Sequence, residues 1–476
     1  MKTTLQNLLS DVRFWIVLFF IIRLYGITDP PLEAAHNWRQ ACGCMVARNF
    51  VEVDANILYP RVDMAGDKTG ITGTEFPALN YVIYLVSTVF GYTHWYGRLI
   101  NLIISSIGTY FFFLLVKKYF NPRAALFSTI VLLGSIWFAY SRKTMPDTFS
   151  VSLALMGLYY GMNYLERHQF KWLLLFFLTS TLALLSKIPS GVILSLFLIP
   201  IVGGIYPLRS KVLFSITGVL ALTIAGAWYF QWIPYLVQQY GYWHYFMGTG
   251  LGEGARTLLA NPFNTSEKIF FDAVKFIGFA VFLFGMYRII KSKDKFLIYI
   301  SAVTILIFGL FMAKAGYNFT VHSYYVIPLV PFMALIIGWT ISNMTNKTFQ
   351  ILLLLAIAVE GIGNHQHDFR IKETELYKMD LEAIADSISN RGDLIAINAG
   401  ENPQQMYLAH RKGWIMSNEY FQDEETLNKI REKGCAFLFI NLTEPDEISY
   451  ELLFKIVYED EHYRILDLNA QQARAL

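Results

Sequence analysis

The sequence predicts an α-helical polytopic membrane protein with a small C-terminal α/β domain. Three observations predict it. The 476 residues are 55% hydrophobic and only 16% charged, whereas soluble domains carry roughly a quarter charged residues. Long apolar runs recur from Phe14 to Gly361. After Asn364 the composition changes, and helical and strand patterns alternate.

Apolar stretches approaching the ~17–25 residues needed to cross a bilayer mark the membrane helices. They lie near Phe14–Tyr25, Trp95–Val116, Ala124–Tyr140, Thr148–Tyr164, Trp172–Leu185 and Val192–Tyr206. They continue at Phe214–Trp232, Phe270–Ile289, Phe296–Phe311, Tyr325–Ile341 and Phe349–Gly361. The expected total is about 11. Leu79–Gly91 is apolar but follows a proline directly, and it reads as a helix lying in the interface. The first run lacks a small-residue cleavage site and reads as a retained anchor. These spans define a membrane domain over residues 1–364, with a first loop at 27–78, and a soluble domain over 365–476.

In the tail, Asp380–Asn390, Pro403–His410 and Glu424–Lys433 read as helices. Leu394–Ala399, Ala436–Asn441 and Arg464–Leu468 read as strands, which together suggest a parallel-type sheet. NAGENP after the first strand is far from a Gly-rich phosphate loop.

Lys and Arg set the orientation. Lys117, Lys118, Arg123, Arg167, Lys171, Arg209, Lys211, Arg288, Lys291, Lys293, Lys295 and Lys347 fall on one side if alternation is strict. This places the amino terminus in the cytoplasm, and the first loop and tail outside. A net charge of +3 gives no footing for nucleic acid. Three cysteines, Cys42, Cys44 and Cys435, form neither a disulfide framework nor a metal motif, and read as packing residues.

The segment Asp29–Pro77 is the chemically richest. It carries Glu33, His36, Arg39, Gln40, Arg48, Asp63 and Glu75 between apolar spans. Ionisable groups beside a bilayer are costly and mark function by default. From Glu33 to Phe50 the spacing predicts a helix, with Glu33, His36 or Asn37, Gln40 and Cys44 on one face. That face would offer a carboxylate and an imidazole one turn apart, suited to taking a proton from a hydroxyl. A polar interfacial helix is the bland alternative. Glu75 precedes a helix starting at Pro77, where capping is an equal explanation.

Further charges sit at outward helix ends. SRKTMPDT holds Arg142, Lys143 and Asp147 in one turn, and a guanidinium suits phosphate. LSKIPSG places Lys187 at the rim of an apolar stretch; it needs an anion or a path to the interface. KAGYNFTVHSYYVIPLVP gathers Lys314, His322, Tyr324 and Tyr325, where an aromatic belt accounts for the tyrosines.

These motifs, in this order, resemble the GT-C superfamily of membrane glycosyltransferases. The closest likeness is to the bacterial branch of protein O-mannosyltransferases and lipid A aminoarabinose transferases (glycosyltransferase families 39 and 83). TEFPALNY, SRKTMPDT, LSKIPSG and HSYYVIPLVP carry the resemblance, over Phe14–Ile341. It implies a hexosyl- or pentosyltransferase of GT-C fold, with a polyprenyl-phosphate sugar as donor and inversion at the sugar. The acceptor would be a glycan, lipid or protein on the outer face of a bacterial inner membrane. The family's early Asp is missing, because the matching stretch reads LEAAHNWRQ. The resemblance therefore implies Glu33 first, then His36 or Asp63, as the catalytic base. Arg39, Arg142, Lys187 and His322 would hold the donor phosphate. Gln40, Glu75, Asp147 and Tyr325 would support them. No cofactor is required, although a divalent cation near Glu33 and Asp63 is compatible with the chemistry. A transporter or flippase would call for internal repeats, which the sequence lacks. A polyprenyl-linked glycan polymerase or ligase usually places its large loop late; here it comes first.

The charge distribution predicts that cysteines introduced at Asp63 and at Glu444 react with an impermeant label in intact cells. Reaction only after permeabilisation would reverse the topology.

Overall fold

The computed structural model describes residues 2–242, 247–443 and 454–471. The chain divides into two compact units, each built from separate segments. One comprises Met1–Ile27, Trp95–Gln231 and Phe246–Phe369, and the other Thr28–His94, Trp232–Tyr245 and Arg370–Leu476. The division does not follow a single boundary near residue 364, because the first loop and the tail group together.

The first unit is helical. Among the described residues, five helices are long and apolar enough to cross a membrane: Tyr96–Tyr119, Leu208–Tyr240, Lys295–Ala315, Ser323–Ser342 and Lys347–Phe369. A sixth is reached if Pro262–Ala273 and Lys275–Ser292, bent by 96°, form one broken span. Most other expected spans are short, such as Val12–Ile22, Pro122–Gly134, Phe170–Ser186 and Ile188–Val202, while the expected Thr148–Tyr164 lies on the 22-residue helix Pro146–Arg167. Breaks explain much of the shortening. Pro146 opens a helix, and Pro189 sits in a 3₁₀ turn between two apolar helices. Each proline removes a backbone donor.

Helix packing here relies on small residues, as expected where apolar burial gives no preference between helix and lipid. Pro146–Arg167 lies against Phe170–Ser186, with Gly157 beside Ser180. Pro122–Gly134 packs between Val330–Ser342 and Lys347–His365. A Cβ on Gly361 would come within 1.7 Å of the Gly134 carbonyl oxygen.

The second unit holds a five-stranded sheet of order β2-β1-β3-β5-β4. The strands are β1 Leu394–Ile397, β2 Lys412–Ile415, β3 Cys435–Asn441, β4 Phe454–Glu459 and β5 Tyr463–Gln471. β1 pairs with β2 and β3 in parallel, but β3–β5 and β5–β4 are antiparallel. The sheet is thus mixed, a correction to the parallel-type expectation. Only a short turn separates β4 from β5, which forces an antiparallel hairpin. The helices Leu381–Ile388, Gln404–Leu408 and Glu424–Glu432 lie where the sequence placed them.

A helix from the first loop, Asn37–Glu52, completes this unit. Ala41, Met45, Val46 and Phe50 share one hydrophobic core with Leu381, Ile395, Met406 and Tyr407. Backbone bonds add to it: Gly413 N–H donates to the Asp63 carbonyl at 2.9 Å, and Gly66 N–H to the Gly413 carbonyl at 2.7 Å. The helix Ala78–Phe90 packs on Asn37–Glu52. Its 13 residues reach only about 20 Å at 1.5 Å each, short of a ~30 Å hydrocarbon core. All three cysteines are free and buried, and burial pushes the thiols of Cys42 and Cys435 up to about 12, in keeping with packing roles. Asp63 is 3% exposed, so exposed Ala55 is the better label position in the first loop. Glu444 lies outside the described residues.

Two glycines on one helix make opposite predictions. Gly361→Ala should lower the melting temperature or abolish folding, since the obstacle is backbone. Gly363→Ala meets nothing within 4 Å and should stabilise by about 0.4–1 kcal/mol. Equal melting temperatures would contradict the packing.

Candidate functional site

The expected residues fall into two groups, one in each unit. In the first unit, Met145 is extended (φ −139°, ψ 142°), as a residue before proline must be. Pro146 then starts the helix, and Asp147 sits in its first turn, where a carboxylate is favoured. Lys187 ends the helix Phe170–Ser186 in an extended conformation. These two breaks bring Asp147 and Lys187 to 3.0 Å. Both are buried, at 4% and 9% exposure.

Aromatic rings wall this pair. Lys187 Nζ lies 5.0 Å from the ring centre of Tyr324. His322 stacks on Tyr324 at 5.2 Å, and Tyr325 stacks on Phe311 at 5.8 Å. A void of about 10 Å³ borders Asp147, Lys187, Tyr324 and Tyr325, room for about one water. Arg142 is buried, donates to the Gly26 carbonyl at 2.7 Å, and stacks over Phe369 at 4.3 Å. Three expected residues, Asp147, Lys187 and Tyr325, therefore border one spot, and His322 stacks on its wall at Tyr324. Asp147 answers Lys187, from a separate segment.

In the second unit the expected helix from Glu33 is corrected. The helix begins at Asn37, and His36 precedes it in the left-handed region at φ 54°. Glu33 instead forms a β-bridge with Ile371, and Ala34 N–H donates to the Arg370 carbonyl at 3.2 Å. Glu33 and His36 therefore do not share a helix face. Two prolines and a distant strand-like segment overrode the local periodicity. Glu33 is fully buried, with Gln40 Nε2 at 3.5 Å. Glu75 does not cap Ala78–Phe90; its carboxylate accepts from Arg39 and from the Thr74 hydroxyl.

Asp63 is held differently. Oδ2 accepts from Arg48 at 2.8 Å and Oδ1 from Asn49 at 2.7 Å. Arg48 also donates to the Tyr407 carbonyl and stacks over that ring at 4.6 Å. Each oxygen of Asp63 thus accepts one bond from the Asn37–Glu52 helix, a structural tie.

Sequence reasoning missed several groups. His365 and His367 flank Asp368 at 3.4 and 3.1 Å. The Glu360 carboxylate accepts from the amides of Phe276 and Ile277 at 3.2 and 2.9 Å. HQHDF at the end of the last apolar run was the available signal. His410 was missed too. Its two ring nitrogens face Glu382 at 2.9 Å and Glu52 at 3.0 Å. Among the described residues, no His, Cys, Asp and Glu cluster fits a metal ion.

A family model described as dolichyl-phosphate-mannose-protein mannosyltransferase matches residues 74–230. That stretch contains Glu75, Arg142, Asp147 and Lys187. Among solved structures, apo ArnT from Cupriavidus metallidurans is similar over 95% of this chain and 97% of its own, with TM-score 0.61 and 11% identity. The chain has the GT-C fold. ArnT bound to undecaprenyl phosphate matches with TM-score 0.58 and 12% identity over the same shares. The oligosaccharyltransferase AglB from Archaeoglobus fulgidus, in complex with an inhibitory peptide and a dolichol-phosphate, matches with TM-score 0.55 and 13% identity. It covers 90% of this chain and 70% of its own. No curated protein matches. With at least five described helices long and apolar enough to cross a membrane, the chain is an integral membrane protein.

Two outcomes are expected of the buried ties. Asp63→Ala strands Arg48 and should cost on the order of 3–5 kcal/mol; an unchanged thermal melt would contradict the tie. Burial, the largest single cause, pushes Glu52 and Glu382 upward, but the hydrogen bond and charge of His410, together with the charge of Arg48 near Glu52 and the hydrogen bond of Arg391 to Glu382, hold both below their ordinary 4.5. A carboxyl depressed on folding stabilises above its unfolded value and loses that contribution as pH falls through the folded one. Stability should therefore hold above pH 4.5 and fall below it. His410→Gln should shrink that acid-side loss; an identical acid profile would argue against the link.

Proposed function

We propose that this protein transfers a sugar from a polyprenyl-phosphate donor to an acceptor hydroxyl on the outer face of the membrane. The observation that carries the reading is the buried Asp147–Lys187 pair at two proline-linked helix breaks. A lysine held there, with Arg142 and His322 in the same unit, is a preorganised counter-charge for a departing phosphate. A second feature supports a lipid tail. An apolar cavity of about 420 Å³ runs between helices of the first unit, lined by Phe112, Leu155, Ile193, Phe296 and Leu335. The orientation, with the amino terminus in the cytoplasm, rests on the Lys and Arg distribution, and the bacterial inner membrane on the family resemblance alone.

The reaction balances simply. The acceptor oxygen forms a bond to the anomeric carbon and loses its proton to a carboxylate. The bond from that carbon to the phosphate oxygen breaks, and the phosphate leaves with the electron pair. Attack opposite the leaving group inverts the centre, through an oxocarbenium-like transition state. Glu33 is the proposed base, with Gln40 orienting it and Arg39, close to it in sequence, paired with Glu75. Asp63 is reassigned to structure, since both its oxygens are occupied. The polyprenyl phosphate would leave as a monoester, and the chemistry requires no redox cofactor. A hexosyl or pentosyl group would serve equally.

Lys187→Ala alone would leave Asp147 buried and unpaired. Lys187→Gln with Asp147→Asn removes both charges, so it should fold yet bind polyprenyl phosphate roughly 10–100-fold more weakly, the equivalent of about 1.5–3 kcal/mol. Glu33→Gln should keep donor binding and lose roughly 10²–10⁴-fold in rate. Wild-type turnover in both variants, measured with purified protein and a lipid-linked sugar, would overturn the assignments.

A further inference from the structure

A second polar cavity lies wholly within the unit that contains the sheet. Its volume is about 310 Å³, at the lower end of the ~300–1,000 Å³ typical of ligand pockets. Arg48, Glu52, Asp63, Arg391, His410 and Lys412 line it. None of these residues belongs to the proposed transfer chemistry.

The walls are rigid. Arg48 and Asp63 form the buried pair at 2.8 Å already described. Arg411, which also lines the cavity and is 1% exposed, donates to Asp386 at 2.9 Å and to the Ser389 carbonyl at 2.9 Å. His410 is in the left-handed region at φ 50°, held by carboxylates on both ring nitrogens. A non-glycine residue persists in that conformation only when its surroundings fix it. Guanidinium donors and carboxylate acceptors thus alternate around one space. Hydroxyl groups, which donate and accept together, match such a lining better than a bare ion does.

The charge count adds a requirement. Arg48, Arg391 and Arg411 each already face a carboxylate: Asp63, Glu382 with Asp386, and Asp386. Lys412 makes no ion pair among the described residues. Glu52 lies against His410 at 3.0 Å, so among the described residues Lys412 is the lining cation left without a carboxylate beside it. We propose that this cavity is a binding site for a saccharide carrying one anionic group, with Lys412 and Arg391 meeting the charge and Glu52 taking hydroxyl protons. This goes beyond sugar transfer, because the site requires neither the lipid donor nor the Asp147–Lys187 pair.

Calorimetric titration of the full chain in detergent tests it, without donor lipid. The probes are glucuronic acid, glucose 6-phosphate, glucose and inorganic phosphate. The expected result is saturable binding of at least one anionic sugar, at least tenfold tighter than glucose and than inorganic phosphate. Which one binds tells a carboxylate from a phosphate ligand. Lys412→Gln should weaken it about tenfold, and Arg391→Gln likewise; both side chains lie at the surface, so folding should survive. No binding of either acid sugar, equal binding of glucose, equal binding of inorganic phosphate, or unchanged binding in both variants would each overturn the proposal. Loss of this binding leaves the transfer reading standing, and failure of lipid-linked sugar turnover leaves this site standing.

Discussion

The interaction on which the helical unit depends is the pair of opposite charges at Asp147 and Lys187, 3.0 Å apart and shielded from water. Two charges in a low-dielectric interior are tolerable only together; removing one strands the other. The chain meets this demand with breaks. Pro146 begins a helix so that Asp147 faces its favourable end, and Pro189 turns the chain just after Lys187. The helices around these breaks are held close by small residues, such as Gly157 beside Ser180 and Gly361 against Gly134. The pair stays fixed because its scaffold leaves little room to relax.

The second unit solves a different problem. A sheet of five strands needs a partner for its exposed face, and part of that cover comes from the first loop. Phe50 and Met45 enter the same core as Ile395 and Met406. Arg48, tied to Asp63, donates to the Tyr407 carbonyl, and His410 bridges Glu52 and Glu382; both link segments more than 300 residues apart in sequence. A buried ion pair is weak evidence for stability but strong evidence for a defined arrangement once one partner is removed.

Much of this was legible. Apolar length revealed the membrane helices, and MPD and SKIP announced the two breaks. Alternation found β1, β3 and β5. What escaped depended on distant partners. Glu33 has helical spacing to Gln40, yet Ile371, far along the chain, pairs with it and holds it out of the helix. Asp63 looked like a spare carboxylate until Arg48 and Asn49 took both oxygens. β2 reads KGWI, and its lysine and glycine break the apolar run that marks β1, a strand of the same length. Local pattern reports propensity; it does not report which remote backbone is waiting to pair.

The central claim is that a lipid-linked sugar phosphate is the donor. The most direct measurement is incubation of the purified protein in lipid nanodiscs with a polyprenyl-phosphate-linked sugar, reading release of free polyprenyl phosphate. The account predicts time-dependent release that depends on Lys187 and Asp147 together. A folded protein that neither releases polyprenyl phosphate nor binds it would contradict the account.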